Sequence, residues 1–402
     1  MRDTFLLHHL PLSSAEHAPD AAALIAGTES LSYGDLAETN ARFAAALLSL
    51  GLQRGERVAV YLDKSFEMVA GCFGASQAGC VFVPINPVLK PEQVAYIMRD
   101  CNVRTLVTSA QRLQVLARSL ADCPDLRHVV LVGASSAANE LRVAQHAWTD
   151  LQRCAEPGEA HRVIDTDVVS ILYTSGSTGR PKGVVLSHRN MVTGAKSVAS
   201  YLQNCPEDTL VAALPLSFDA GFSQLTTAFH VGARVALLNY LLPRDVMDTV
   251  VRHRVTGITA VPPLYVQLAQ LDWPRSVDEH LRYFANTGGR MPLETLTRLR
   301  QKLPRARPFL MYGLTEAFRS TYLPPEEVDR RPDSIGKAIP NAEILVLRED
   351  GTRCSPDEPG ELVHRGALVG QGYWNDPTKT AERYKPLPGR ESGLVLEELA
   401  VF

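Results

Sequence analysis

The stretch Thr174-Ser-Gly-Ser-Thr-Gly-Arg-Pro-Lys-Gly183 is the most informative part of the sequence. It follows the strand-like run Ile171-Leu-Tyr173 and precedes a second such run, Val184-Val-Leu186, with a helix starting at Ser187. Its glycines let backbone N–H groups turn toward an anion, its hydroxyls add donors, and Lys182 adds a compact positive charge. Because a polyphosphate needs all three, the stretch predicts a phosphate-binding loop.

Two other phosphate loops do not fit this stretch. A Walker-type loop, Gly-x-x-x-x-Gly-Lys-Ser/Thr, is excluded because Pro181 precedes Lys182 and Gly183 follows it. A kinase-type Gly-x-Gly-x-x-Gly is excluded by the spacing of Gly176 and Gly179. The remaining alternative is a flexible Gly/Ser surface loop, but such loops rarely place Pro-Lys-Gly directly before a strand-like run.

Outward from the loop, short β-branched runs alternate with helical patterns in both directions. This alternation predicts an α/β fold in which parallel sheets are covered by helices on both faces. Residues 342–347 and 360–364 predict a small β-rich part, with Asp350-Gly351 as a hairpin turn. The predicted units are a first α/β subdomain (1–165), a second with the phosphate loop (166–332) and a β-rich subdomain (333–402). The boundary at 165 is approximate, because the chain can cross between sheets.

Two further predictions concern segments without chemistry. Residues 133–165 have little pattern and predict a surface excursion between the two α/β layers. Leu241, Leu242, Leu299 and Leu303 are assigned to the core because they are apolar.

Composition excludes several classes of protein. The chain has 402 residues, of which 45% are hydrophobic and 21% charged, enough for two or three units with a large core. A net charge of −3 gives no support for nucleic-acid binding. No apolar stretch approaches the ~18 residues of a membrane span, and the first residues lack the features of a signal peptide. The 7 scattered cysteines, without a Cys-x-x-Cys pair, predict buried thiols in a cytoplasmic protein.

The phosphate loop resembles that of the adenylate-forming superfamily. This group includes acyl-CoA synthetases, adenylation domains of nonribosomal peptide synthetases, amino-acid:carrier-protein ligases and beetle luciferases. Other segments are similar to motifs of that family in the same order: Leu31-Ser-Tyr-Gly-Asp-Leu36, Gln77-Ala-Gly-Cys-Val-Phe-Val-Pro-Ile-Asn-Pro87, Thr287-Gly-Gly-Arg-Met-Pro292, Tyr312-Gly-Leu-Thr-Glu316, Gly360-Glu-Leu-Val-His-Arg-Gly366 and the run from Gly372-Tyr-Trp-Asn-Asp-Pro to Tyr384.

The resemblance implies a reaction in which a carboxylate attacks ATP to give an acyl-adenylate and pyrophosphate. A thiol, from CoA or from a carrier protein's phosphopantetheine, then captures the acyl group. Because both reactants are anions, catalysis rests on positioning and charge neutralisation. The resemblance implies catalytic roles for Lys182, for Thr315 at the α-phosphate and for Glu316 as a ligand of Mg²⁺.

The same resemblance implies a set of nucleotide contacts. Tyr312 would stack on adenine, and Gly288 and Gly289 would allow close backbone approach. His188 and Asn190, just after the loop, are interpreted as helix-capping and structural residues. The phosphate contacts, beside Lys182, would be Thr174, Ser175, Gly176, Ser177, Thr178 and Gly179.

The segment Leu214-Pro-Leu-Ser-Phe-Asp-Ala-Gly-Phe-Ser-Gln224 carries the substrate prediction. Its Phe218-Asp219 pair is similar to that of amino-acid-activating members, whose aspartate binds the ammonium group of the substrate. The alternative is that Asp219 only caps a helix. Arg319 could pair with Asp219 itself or with an acidic group on the substrate, and two charged groups disfavour a fatty acid. The predicted substrate is an amino acid or another small polar acid, and its remaining pocket residues are Ala220, Ser223, Ala260, Ala285, Thr287, Met311, Arg319 and Ser320.

The family's ribose-binding Gly-Asp pair, its hinge and its small mobile domain are not found before Phe402. We therefore expect the chain to be the truncated core of a longer ligase whose small domain rotates. Two alternatives stay open: an acyl-CoA synthetase for an acid without an amino group, and a nucleotide- or acyl-binding module without catalysis. An unrelated phosphotransferase is disfavoured by the pair Lys182-Gly183.

Overall fold

The computed structural model describes residues 3–133, 141–154, 159–174, 181–386 and 398–401. Within this part of the chain the strands form three sheets. The strands are β1 Ala22–Ala26, β2 Glu29–Ser32, β3 Arg57–Tyr61, β4 Val81–Pro84, β5 Val103–Ser109, β6 His128–Val132, β7 Ala144–Ala147, β8 Val168–Thr174, β9 Lys182–Ser187, β10 Thr209–Ala212, β11 Arg234–Leu237, β12 Gly257–Ala260, β13 Tyr283–Asn286, β14 Arg307–Tyr312, β15 Thr321–Leu323, β16 Lys337–Ala338, β17 Ala342–Leu347, β18 Glu361–Gly366, β19 Tyr384–Pro386 and β20 Glu398–Val401. The α-helices are α1 His9–His17, α2 Tyr33–Ser49, α3 Phe66–Gln77, α4 Pro91–Asp100, α5 Ala110–Leu120, α6 Trp148–Cys154, α7 His188–Leu202, α8 Asp219–Val231, α9 Pro243–Arg252, α10 Pro262–Leu268, α11 Leu293–Lys302 and α12 Pro377–Arg383. None of the helices in these residues is both long and apolar enough to cross a membrane.

The first large sheet contains the two strands that flank the predicted phosphate loop. Its strand order is β7-β6-β5-β3-β4-β8-β9, and its pairs are parallel except for β8 with β9. The central parallel strands β3, β4 and β8 are short runs of mostly buried apolar residues, as expected where a sheet is covered on both faces. Thr174 at the end of β8 is the register partner of Lys182 at the start of β9. The two ends of the predicted loop therefore lie side by side.

In the second large sheet, several other candidate residues lie at or near the carboxyl ends of the parallel strands. Its order is β16-β15-β14-β13-β12-β10-β11-β1-β2, with a parallel centre and antiparallel edge strands. Strands β12, β13 and β14 end at Ala260, Asn286 and Tyr312. Because these strands are parallel, their carboxyl ends meet at the same edge, which is where ligands bind in open α/β sheets.

The two large sheets do not divide at residue 165. Strands β1 and β2 belong to the second sheet because β1 pairs with β11, and β8 and β9 belong to the first sheet. The chain therefore crosses between sheets in both directions. The predicted β-rich part contains the sheet of order β17-β18-β20-β19, but β16 joins the second large sheet.

Two local predictions need correction. Residues 133–165 are not only a surface excursion, because β7 extends the first sheet and Trp148 of α6 is buried. Strand β7 was not predicted because Ala144–Ala147 is short and partly polar. Leu299 and Leu303 are buried as predicted, but Leu241 is 92% exposed and Leu242 is 62% exposed. Leu241 and Leu242 lie in the turn before α9, and both donate their backbone N–H groups to the Asp245 carboxylate. This turn directs their side chains toward solvent.

Helix α7 confirms the structural interpretation of the residues after the loop. Ser187 and Asn190 form a capping box, and the buried His188 accepts a bond of 3.0 Å from the Leu7 backbone N–H. The buried cysteines of the described residues are Cys72, Cys80, Cys101 and Cys123, whereas Cys205 and Cys354 are partly exposed.

We expect buried His188 to make part of the free energy of unfolding sensitive to acid. Burial lowers the pKa of His188 to about 4; His9 lowers it further, whereas Asp167 and Asp165 oppose this shift. Because the folded pKa lies below the unfolded value of about 6.5, this stability is present above pH 6.5 and is lost as the pH falls toward 4. The loss between pH 7 and pH 5 amounts to about 2 kcal/mol.

His188→Gln, whose side-chain oxygen can still accept from Leu7, is expected to lack this component. Urea unfolding of parent and variant at pH 7 and pH 5 measures it. An equal loss of stability in both proteins would show that His188 does not contribute.

Candidate active site

The end of the phosphate loop lies against one aromatic ring. Lys182 Nζ is 5.2 Å from the centre of the Tyr373 ring. Gly183 is needed for close packing of β9, because a Cβ there would lie 2.7 Å from an Ile171 methyl carbon. Thr174 and Lys182 flank the loop, while the predicted contacts Ser175, Gly176, Ser177, Thr178 and Gly179 lie outside the described residues.

Tyr373 joins two motifs that are far apart in the sequence. Its segment runs beside β9, with Val185 N–H donating to Gly372 O at 2.9 Å and Trp374 N–H donating to Gly183 O at 2.7 Å. The buried Tyr373 hydroxyl donates to Glu316 Oε1 at 2.7 Å. Burial, and then the nearby Glu316 carboxylate, raise the pKa of Tyr373.

No role was predicted for Tyr373, although it lies in a segment that resembles a family motif. In the sequence, the available signal was its position directly after Gly372. In the structure, Gly372 has a φ of +109°, in the region that favours glycine. The structure thus brings Lys182 and Glu316 together on one tyrosine.

The Thr315–Ala317 segment is a 3₁₀ turn that follows β14. Glu316 is held by its backbone, because Gly370 N–H donates to Glu316 O at 2.8 Å. The buried Thr315 hydroxyl donates to Asp219 Oδ1 at 3.0 Å. Neighbouring residues of one turn therefore contact the two halves of the candidate site.

Asp219 is the first residue of α8, and its side chain is not a helix cap. The N-cap residue is Phe218, with no side-chain hydrogen bond. Asp219 Oδ2 instead accepts a bond of 2.8 Å from Arg319 Nη1, and Arg319 is only 1% exposed. The capping interpretation is therefore wrong, and the structure shows the Asp219–Arg319 pair. Gly221 is required next to it, because a Cβ there would lie 1.9 Å from Pro215 O.

The predicted pocket residues divide into two groups. Ala220, Ser223, Met311 and Arg319 line one cavity of about 10 Å³, together with Gln224 and Thr227. That volume is about the size of one water molecule. Three buried polar atoms of its lining residues have no hydrogen-bond partner among the described residues: Gln224 Oε1, Thr227 Oγ1 and Arg319 Nε. The other four predicted residues are buried but do not line it: Ala260, Ala285, Thr287 and Ser320.

Ser320 has a partner that was not predicted. Its hydroxyl lies 2.9 Å from Nδ1 of the fully buried His364 on β18. Burial lowers the pKa of His364 to about 4. The imidazole is therefore neutral at pH 7, and it ties the small sheet to the wall of the predicted acid pocket.

A larger cavity opens at the ends of β13 and β14. It has a volume of about 420 Å³ and is lined by Gly288, Gly289 and Tyr312, the residues predicted to contact adenine. Gly288 has a φ of +71°, which favours glycine. Its further lining residues are Asn286, Arg290, Met291, Leu310, Met311, Gly313, Leu314, Pro332, Asp333, Ser334 and Ile335.

Residues 12–374 match the family described as AMP-binding enzyme. The chain belongs to the AMP-binding enzyme family. This confirms the family predicted from the motifs, and the three sheets described above confirm the predicted α/β fold.

Relatives of this AMP-binding enzyme include ligases and much larger synthases. It is 30% identical over 383 residues to an L-proline–[L-prolyl-carrier protein] ligase of Pseudomonas fluorescens, covering 93% of this chain and 74% of that protein. It is 29% identical over 372 residues to a linear gramicidin synthase of Brevibacillus parabrevis, covering 92% of this chain but 4% of that protein.

Among solved structures, VinN is 30% identical with a TM-score of 0.82, covering 96% of this chain and 94% of VinN. The complex of VinN with L-aspartate is 29% identical with a TM-score of 0.81, covering 94% of this chain and 92% of VinN.

Proposed function

We propose that this protein activates the carboxylate of a small amino acid by reaction with ATP. The supporting observation is one continuous set of contacts. Asp219 accepts from Thr315, the adjacent Glu316 accepts from Tyr373, and the Tyr373 ring lies against Lys182. The residues proposed for the acid and those proposed for the phosphates are thereby held in one arrangement.

Each residue of this set has a proposed task. Lys182, with Thr174 and the residues 175–179, neutralises and holds the β- and γ-phosphates. The Thr315 hydroxyl contacts the α-phosphate. Oε1 of Glu316 accepts the bond from Tyr373, and Oε2 of Glu316 is the oxygen proposed for Mg²⁺. A carboxylate with phosphate oxygens and water is the usual ligand set of this ion. Bound Mg²⁺ would supply positive charge for the phosphates.

The reaction proposed for the site is a displacement at phosphorus. A carboxylate oxygen of the acid forms a bond to the α-phosphorus, and the bond from that phosphorus to the bridging oxygen breaks. The products are an acyl-adenylate and pyrophosphate. Preorganised positive charge and donors lower the barrier because both reactants are anions. Capture of the acyl group by a thiol follows, and a carrier protein is favoured over CoA because the proline ligase relative is named for one.

The Asp219–Arg319 pair narrows the proposed substrate. A substrate ammonium that takes Arg319's place on Asp219 leaves a buried guanidinium without a charged partner, which is costly. A substrate with a second carboxylate pairs both buried charges again. We therefore propose an acidic amino acid, in line with the VinN complex with L-aspartate. An acid without an amino group, which leaves the ion pair intact, is the second candidate.

Acid-dependent exchange of labelled pyrophosphate into ATP tests both the proposed adenylation reaction and the proposed acidic amino acid substrate. The panel is L-aspartate, L-glutamate, L-asparagine, L-proline, L-alanine and succinate, with the full protein. We expect L-aspartate or L-glutamate to exceed L-asparagine and succinate by about tenfold or more, the value of one buried charge contact. No exchange with any acid would overturn the adenylation proposal. Exchange only with succinate would assign the second candidate.

A further inference from the structure

Asn286 is a buried amide at the base of the larger cavity. It is the last residue of β13 and is 2% exposed. Its Nδ2 donates to Gly289 O at 2.7 Å, across the turn that contains Gly288. Its Oδ1 has no hydrogen-bond partner among the described residues.

The Gly289 bond fixes the orientation of this amide. If the amide were reversed, two acceptor oxygens would face each other across the turn, which is unfavourable. The nitrogen therefore faces the turn and the oxygen is left as a buried acceptor. Buried acceptors are nearly always bonded, and Asn286, unlike the other described residues with such an unbonded amide oxygen, lines this cavity. Its oxygen is therefore the acceptor available to a donor of a ligand bound there.

The surroundings restrict what this donor can be. The neighbouring position on β14 is Leu310, which cannot form a hydrogen bond, and Met291, Met311 and Leu314 add apolar walls. The charged lining residues Arg290 and Asp333 are paired with each other and highly exposed. The cavity thus offers Tyr312 for ring stacking and one buried acceptor for the edge of a flat base.

We propose that Asn286 selects adenine by accepting a hydrogen bond from its exocyclic amino group. Guanine and hypoxanthine carry a carbonyl oxygen at that position, which would face Oδ1 and repel it. This inference rests on the proposed use of ATP and adds the residue that distinguishes ATP from other purine nucleotides.

Calorimetric binding of three nucleotides tests it: ATP, inosine triphosphate and purine riboside triphosphate, which lacks the substituent. We expect the wild-type protein to bind ATP about tenfold more tightly than purine riboside triphosphate and still more tightly than inosine triphosphate. In Asn286→Leu the first ratio should fall to about one. The ratio separates base recognition from loss of the turn, because a disturbed turn weakens all three nucleotides.

Asn204→Leu is the matched control. Asn204 is also an amide with an unbonded buried oxygen, and it contacts Tyr283 at the opposite end of β13. This variant should keep the wild-type ratio. Equal affinity of the wild-type protein for ATP and purine riboside triphosphate would overturn the inference even if Asn286→Leu does not fold. An unchanged ratio in a folded Asn286→Leu would overturn it as well. If no nucleotide binds, the proposed function fails and the inference with it.

Discussion

Glu316→Gln is expected to lower the rate of acid-dependent pyrophosphate exchange by about 10²–10³-fold. Lys182→Ala is expected to have an effect of the same order. The first removes a negative oxygen proposed for Mg²⁺, and the second removes positive charge beside the phosphates. Both residues contact Tyr373, so each variant also disturbs the position of the other. Steady-state exchange over a range of Mg²⁺ concentrations measures these effects.

Glu294→Gln is the control for this pair of variants. Glu294 lies on α11 and is highly exposed. Its replacement should leave the exchange rate unchanged. A near-normal rate for Glu316→Gln at limiting Mg²⁺ would refute the metal role of Glu316, whatever Lys182→Ala does.

Asp219→Ala is expected to destabilise the fold by about 3–5 kcal/mol, because it leaves the buried Arg319 guanidinium with the Phe318 carbonyl but without an opposite charge. Water cannot compensate this charge, since the side chain of Arg319 is 2% exposed. Its Nε also has no hydrogen-bond partner within the part of the chain that the structure describes. Exchange with an acidic amino acid should be lost as well. Urea unfolding measures the first effect and the exchange assay the second.

Two variants test the explanation from unpaired charge. The double variant Asp219→Leu with Arg319→Leu should be more stable than Asp219→Ala, because it removes both charges. Glu294→Ala breaks the exposed pair with Arg298 and should cost no more than about 1 kcal/mol. A cost for Asp219→Ala as small as that of Glu294→Ala would contradict the buried-pair argument.

The central strands of both large sheets could be predicted from local sequence. Strand β4 is a continuous apolar run, and β10 is one after Thr209, as expected where helices cover both faces of a strand. The pairing of β1 with β11 could not be predicted, because it joins residues about 200 positions apart and no local pattern encodes it. The short edge strand β7 was missed because edge strands need little apolar surface.

The candidate site was predictable as motifs but not as contacts. The spacing of Tyr312 to Glu316 indicated a nucleotide site, yet the tyrosine that links Glu316 to Lys182 comes from a segment without an assigned role. The partner of Arg319 stayed open, because two buried charges can pair with each other or with a ligand. No role was predicted for Asn286, because only the folded turn shows that its amide is fixed by the bond to Gly289 O.

The position of β1 affects how the protein is made on the ribosome. Ala22–Ala26 needs Arg234–Leu237 as its neighbour, and about 200 residues separate them, which takes roughly 10–40 s of synthesis at ~5–20 residues per second. Until then the edge of β1 that contains Leu24 is unpaired. Assembly of this sheet is therefore a late step in biosynthesis, and the unpaired edge is open to pairing with other chains until β11 has been made.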